Sequence, residues 1–227
     1  PENKSFSFEF WLNPSSLNDS THLIFQKTNL NSNSTIENGY ICFLENNNDF
    51  FNLHFSIYID SNFIDKSITI KKDEWQHIAI SITNSKLQNN QINKKIDFVL
   101  NSIIVEESSI TNHTPNINLQ NKSFTQNFKK RNIPLSIGRY FIPLNNGQSF
   151  LTNITHNNLS LSSYKGKIDE FRHFHKTRST KTIKKDMHKN IFSQKGLNLY
   201  LRFNEPVGEY ANNFLCIDYS GNKLHGI

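Results

Sequence analysis

Cysteine is scarce in this chain, and so are methionine, glycine and proline: two Cys, one Met, eight Gly and six Pro in 227 residues. Cys42 and Cys216, far apart in sequence, make neither a disulfide framework nor a metal-ligand spacing, and each stands in an apolar run, so both are read as buried free thiols. No apolar run reaches membrane-spanning length and no signal-peptide pattern is visible, so membrane insertion is not expected. Charge is low as well, at 19% of residues, with a mean hydropathy of −0.57. That hydropathy, with only 36% hydrophobic residues, would alone suit a disordered segment, but nineteen Phe, seven Tyr and two Trp supply the buried surface that disordered chains lack. The catalytic signatures G-x-S-x-G, H-E-x-x-H and the P-loop are all missing.

What is present is a period of two. Phe6, Phe8, Phe10 and Leu12 alternate with Ser7 and Glu9; Phe51, Leu53, Phe55, Ile57 and Ile59 alternate with Asn52, His54, Ser56 and Tyr58; Ile78, Ile80 and Ile82 alternate with Ala79 and Ser81. Such alternation marks half-buried antiparallel strands. Further strands are predicted at His22–Lys27, Gly39–Glu45, Asp65–Ile70, Lys95–Val105, Leu135–Tyr140, Gly166–Lys176, Leu197–Asn204 and Phe214–Asp218. Polar stretches rich in Asn, Ser and Thr at Asn29–Asn38, Asn84–Asn93, Ser108–Lys130 and Asn145–Ser160 are predicted as surface loops. One helix is predicted over Ser179–Asn190, where Ile183, Met187 and Ile191 recur every four residues behind a Ser179 or Thr180 cap. The fold class expected is all-β, an antiparallel β-sandwich jelly roll with one short C-terminal helix.

Three stretches, in order, resemble the laminin-G-like branch of the concanavalin-A-like lectin/glucanase superfamily. They are Ser5-Phe6-Ser7-Phe8-Glu9-Phe10-Trp11-Leu12-Asn13-Pro14, then Glu74-Trp75-Gln76-His77-Ile78-Ala79-Ile80-Ser81, then Leu135-Ser136-Ile137-Gly138-Arg139 with Tyr164-Lys165-Gly166-Lys167-Ile168-Asp169-Glu170-Phe171-Arg172. The tail, Gly196–Glu205 and Asp218–Gly226, is similar to the stretch that opens a domain in that family. Residues 1–192 are therefore expected to form a jelly roll lacking its opening strands. Residues 193–227 are expected either to close this sandwich or to open a following, similar domain. The chain begins inside a strand pattern, as a fragment of a longer polypeptide would.

The resemblance implies a site at Asp169, where relatives hold a structural calcium; Asp218, in a turn with Ser220 and Asn222, is a weaker candidate for the same hard cation. His173 and His175 share a strand face, without a third metal ligand in sight. Glycan contacts in such folds come from rim aromatics and amides, with Tyr140, Phe141, His156 and Tyr164 as candidates, while the resemblance places Trp11 and Trp75 in or near the core. Asp73-Glu74, Glu106-Glu107 and Asp169-Glu170 are adjacent acidic pairs that regular strand alternation turns to opposite faces, so no acid/base pair and no enzyme is expected. The net charge of +6, concentrated at Lys129–Arg131 and Lys176–Lys189, is read as a solvated basic face, and nucleic acid is not expected as a partner. The surplus of Asn, Lys, Ile and Phe over Ala, Gly and Pro suits an AT-rich genome, such as that of a phage or large virus. These observations lead to a non-enzymatic interaction or structural module of a larger virion or cell-surface protein, contacting other subunits or other domains of the same chain. The alternatives are a carbohydrate-binding, lectin-like adhesion domain, with glycans as partners, and an ancillary domain of a glycan-processing enzyme.

Overall fold

The computed structural model describes residues 5–15, 21–30, 36–59, 62–86, 92–105, 135–138, 140–144, 147–151, 154–156, 159–205 and 216–226. In chain order the elements are β1 (Phe6–Pro14), β2 (Thr21–Leu30), β3 (Ile36–Asn47), β4 (Phe50–Ile59), β5 (Asn62–Lys71), β6 (Gln76–Lys86), β7 (Ile92–Leu100), β8 (Ile103–Ile104), β9 (Ser136–Ile137), β10 (Tyr140–Leu144), β11 (Gly147–Leu151), β12 (Ile154–His156), β13 (Leu159–Ser163), β14 (Gly166–Phe174), α1 (Thr180–Asp186) and β15 (Leu197–Leu201). They fall into two compact units, each built on its own sheet.

The first unit combines Pro1–Pro14, Asp73–Glu106 and Gly166–Ile227. Its sheet runs β15-β14-β1-β6-β7-β8, all antiparallel. Register places Phe8 opposite Ile80 and Phe10 opposite Ile78, so the period-two residues of β1, β6 and β7 collect on one apolar face with Phe171. The other face was expected to be solvated. Instead α1 covers it: Ile183 packs with Ala79 and Val99, and Glu9, Ser7 and Arg172 are buried. A polar residue in a strand pattern is therefore no guide to exposure here, because a helix closes the polar side.

The helix begins as the sequence predicts, with Ser179 accepting from Thr182 N, but it stops at Asp186, four residues short. Beyond it the chain turns, and its last carbonyls are taken by side chains from the sheet. Trp11 Nε1 donates to Met187 O at 2.9 Å, and Arg172 donates to Asp186 O at 3.1 Å and Lys189 O at 2.6 Å. Helix-end carbonyls without intrahelical partners need such donors.

The tail joins this same sheet. β15 pairs with β14, Tyr200 opposite Arg172. Its outer edge is then closed by the turn after Asp218. Tyr219 N donates to Tyr200 O, and Asn222 Nδ2 donates to Leu197 O and Asn198 O. Asp218 organises the turn by accepting from Tyr200 N at 3.0 Å, Ser220 N at 2.9 Å, Leu224 N at 3.0 Å and Ser220 Oγ at 2.8 Å.

The second unit combines Ser15–Lys72 and Glu107–Lys165. Its sheet runs β12-β13-β2-β3-β4-β5, with β9 also on β2; the β13–β2 pair is parallel. Both faces of β4 are buried, against the half-buried expectation: Asp65 of β5 takes both polar side chains, with His54 Nδ1 at 2.8 Å and the Ser56 hydroxyl donating at 2.6 Å, and Phe43 stacks on His54 at 4.6 Å. At Gly39 (φ 123°) the β2 backbone comes so close that a Cβ would lie 2.1 Å from Lys27 O, so only glycine fits.

Three loop and strand expectations change. The Lys95–Val105 strand folds back as the β7–β8 hairpin, because Asn101 and Ser102 both take positive φ, 49° and 67°, as a tight primed turn requires. Asn145–Ser160 carries β11, β12 and the start of β13 rather than a loop alone. The strands of Asn29–Asn38 and Asn84–Asn93 extend further than expected, to Leu30 and from Ile36, and to Lys86 and from Ile92. Ser108–Lys130 and Lys129–Arg131 lie outside the described residues. Cys42 is buried as expected; Cys216 is only half-buried, and both are free.

Candidate functional site

The site is built on β14 and on the turn after α1. Between Glu9–Arg172 and Trp11–Asp169 the register of β14 against β1 slips by one residue, so Glu170 and Phe171 together oppose Phe10. Glu170 sits in this bulge at φ 53°. Positive φ is costly for a side chain of this size and persists only where neighbours over-determine it. Here they do: Glu170 N donates to Asp169 Oδ1 at 2.8 Å, Arg172 Nη2 donates to Glu170 Oε2 at 2.6 Å, and the Tyr200 hydroxyl donates to the same oxygen.

The bulge overturns the alternation argument at this point. Asp169 and Glu170 do not turn to opposite sides; both line one cleft of about 310 Å³, together with Trp11, Trp75 and the Met187–Asn190 turn. Trp75 is 44% exposed and Trp11 half-buried, so the expectation of a core role fails for Trp75 in particular. Trp11 is fixed from three sides: its indole N–H binds Met187 O, and its ring lies 5.3 Å from His77 and 5.1 Å from His188. The chain's two tryptophans therefore both face the cleft.

Beneath the cleft runs a buried charge network. Arg178 Nη1 donates to both carboxylate oxygens of Glu9, at 2.9 and 3.0 Å, and Arg178 Nη2 pairs with Asp186. Arg172 lies over the Tyr200 ring at 5.0 Å and Arg202 Nε is 3.7 Å from Glu170 Oε1. Burial pushes the Glu9 carboxyl above its ordinary value against the pull of Arg178 and Arg172. His77, 1% exposed, is driven down to about 3 by burial and then by the charges of Arg172, His188 and Arg178, so it is neutral near pH 7. Asp169 stands outside the ion pairs, and its carboxyl is raised chiefly by burial.

For the calcium implied at Asp169 the donor set does not fit. One oxygen of Asp169 already accepts a backbone N–H, Glu170 is held by Arg172 and Tyr200, and Arg172 and Arg202 bring positive charge where a cation would sit. Among the described residues no three His, Cys, Asp or Glu gather into a metal-binding group. Asp218 is filled by four donors and offers a cation nothing. His173 and His175 do share a face, but Asn198 bridges them, Nδ2 to His173 Nδ1 at 3.1 Å and Oδ1 to His175 Nε2 at 2.8 Å. Tyr164 is half-buried and lies outside the cleft lining; the side chains of Tyr140, Phe141 and His156 lie outside the described ones.

Of the residues lining the cleft, Asp169 is the one expected above as a calcium ligand, Trp11 and Trp75 were expected in or near the core, and Glu170 and the turn carried no binding expectation. The signal available was the Trp content: two indoles in the whole chain, Trp11 within β1 and Trp75 directly before β6, both strands of the first sheet.

A crystal structure described as a "putative carbohydrate binding protein" from Bacteroides ovatus is similar in fold, with a TM-score of 0.56 at 14% identity. The match covers 99% of this chain and 51% of that one, so this chain spans about half of its length. No curated protein matches significantly. A family profile described as the concanavalin A-like lectin/glucanases superfamily matches residues 1–184. The antiparallel sheets, the short helix after β14 and that match agree: the chain belongs to the concanavalin A-like lectin/glucanase superfamily.

Proposed function

We propose that this chain is a carbohydrate-binding, lectin-like module that takes a sugar in the cleft between Trp11 and Trp75. The observation that carries the reading is the exposed Trp75 indole at the mouth of a cleft also furnished with Asp169, Lys189 and Asn190. An indole face matches the apolar face of a pyranose, and carboxylate, amide and ammonium groups match its hydroxyl edges. The solved relative's designation as carbohydrate binding supports the same reading.

The module is read as non-catalytic. Glycoside hydrolysis needs two carboxyl groups flanking the scissile bond. Asp169 and Glu170 are neighbours on one strand and one wall, and Glu170 is engaged by Arg172 and Tyr200. Attachment of a larger virion or cell-surface protein through this glycan contact is the setting proposed for it. Among the described residues no helix is long and apolar enough to cross a membrane.

The test is a glycan array, with and without calcium, followed by tryptophan fluorescence titration of each sugar that binds. Both indoles line the cleft, so binding there shifts the emission, and Trp75→Ala weakens the binding about tenfold or more. No sugar bound, or a sugar bound with unchanged emission, overturns the proposal. Binding only with calcium would overturn the metal-free reading of the cleft.

A further inference from the structure

The two walls of the cleft come from different elements, and one buried side chain connects them. Asp169 and Glu170 belong to the β14 bulge; Met187–Asn190 belong to the turn after α1. Arg172, 0% exposed, reaches both: Nη2 donates to Glu170 Oε2 and to Lys189 O, each at 2.6 Å, and Nη1 donates to Asp186 O at 3.1 Å. The Trp11 indole bond to Met187 O at 2.9 Å also ties the turn to the sheet. Resting on the carbohydrate reading for its function, we infer that Arg172 is a positioning residue that sets the width of the cleft, holding the helix-end turn against the Glu170 bulge without touching the sugar.

The guanidinium fork is what makes this possible. It is planar and carries five donors, so it meets two carbonyls and a carboxylate in fixed directions; a lysine ammonium keeps the charge but not the fork. Arg172→Lys thus retains the ion pair with Glu170 and releases at least one turn carbonyl. Arg178 supplies the matched control. It lies in the same buried network, held by Glu9 and Asp186, and is absent from the cleft lining.

The experiment has a ligand-free arm and a sugar arm. In a Trp75→Phe background Trp11 is the sole tryptophan, and acrylamide quenching of its selectively excited emission reports how open the cleft is around it. Arg172→Lys is expected to raise the quenching constant about twofold or more, since the turn that shields Trp11 loses its tether. Arg178→Lys, at comparable loss of Tm, leaves it near the parent value. In the two-tryptophan protein, cellohexaose and laminarihexaose are the probes; Arg172→Lys weakens whichever binds by about tenfold, the loss of one good hydrogen bond's worth of positioning, and Arg178→Lys does not. Equal quenching in both variants, or an effect that merely follows Tm, overturns the positioning role. Failure of the parent to bind either sugar or any array sugar counts against the carbohydrate reading alone, because the quenching arm still decides the role of Arg172.

Discussion

Asp218→Asn isolates the clasp that closes the outer edge of β15. The carboxylate accepts four hydrogen bonds, three from backbone N–H groups and one from the Ser220 hydroxyl. The side chain is only 5% exposed, so water does not substitute for a lost partner. Asparagine has the same shape but one acceptor oxygen. If that oxygen keeps Tyr200 N and Ser220 N, the new amide faces the Leu224 N–H, donor against donor. The Ser220 hydroxyl can rotate to accept, so the net loss is one charge-assisted bond plus the negative charge felt by the two that remain, about 2–4 kcal/mol. That loss falls on residues 216–226 and on β15. Hydrogen exchange followed by mass spectrometry should show the Tyr200 and Leu224 amides exchanging about thirtyfold faster or more, while the β1 and β6 amides keep their protection. A change below about threefold at Tyr200 would refute the clasp. Acid should act in the same way. Burial pushes Asp218 up, but the N–H groups of Leu224, Ser220 and Tyr200 and the Ser220 hydroxyl together bring it below its ordinary 3.8. Its folded value lies under its unfolded one, so its contribution is complete above the unfolded value and is lost as pH falls through the folded one.

Other expectations follow from the same geometry. Trp75→Ala should weaken sugar binding about tenfold or more with little change in Tm, because the side chain is 44% exposed; binding calorimetry and a thermal melt check both halves. His77 is neutral in the fold with a value of about 3 against 6.5 unfolded, so the unfolded state takes up more protons as pH drops below 6.5. Stability should therefore fall by about 2 kcal/mol between pH 7 and pH 5, and His77→Phe should flatten that slope in urea melts. Gly39→Ala should cost about 3–5 kcal/mol, combining strain at φ 123° with a Cβ 2.1 Å from Lys27 O, and a urea midpoint within error of the parent would refute that backbone contact. Ser179→Ala removes the acceptor for Thr182 N and should cost about 1 kcal/mol by the same assay.

The strands of the first sheet were legible because Phe, Ile and Leu alternate at a period no helix shares. The cap of α1 was legible for a similarly local reason. What covers the polar side of β1 was not: Glu9 reads as solvent-facing, and only the arrival of Arg178 and Arg172 from 169 and 163 residues away buries it. The bulge at Glu170 was hidden because register belongs to a pair of strands, and the β14 sequence alone carries no trace of a slip against β1. The Asn101-Ser102 turn escaped notice since serine is an unusual residue for positive φ. The early end of α1 could not be read either, because the donors that capture its last carbonyls come from β1 and β14.

The two margins of the first sheet have a consequence for life at high density. A sheet margin with free N–H and C=O groups invites a strand from a neighbouring molecule, and the more concentrated the protein the more often such neighbours meet. One margin here is sealed, with the Leu197 and Asn198 carbonyls occupied by Asn222 and the Tyr200 amide by Asp218. The opposite margin is β8, two residues long, too brief a template to hold a foreign strand even though Ile103 is 70% exposed. Loosening the clasp would therefore do more than destabilise a tail: it would uncover a five-residue strand and make self-association the first visible symptom.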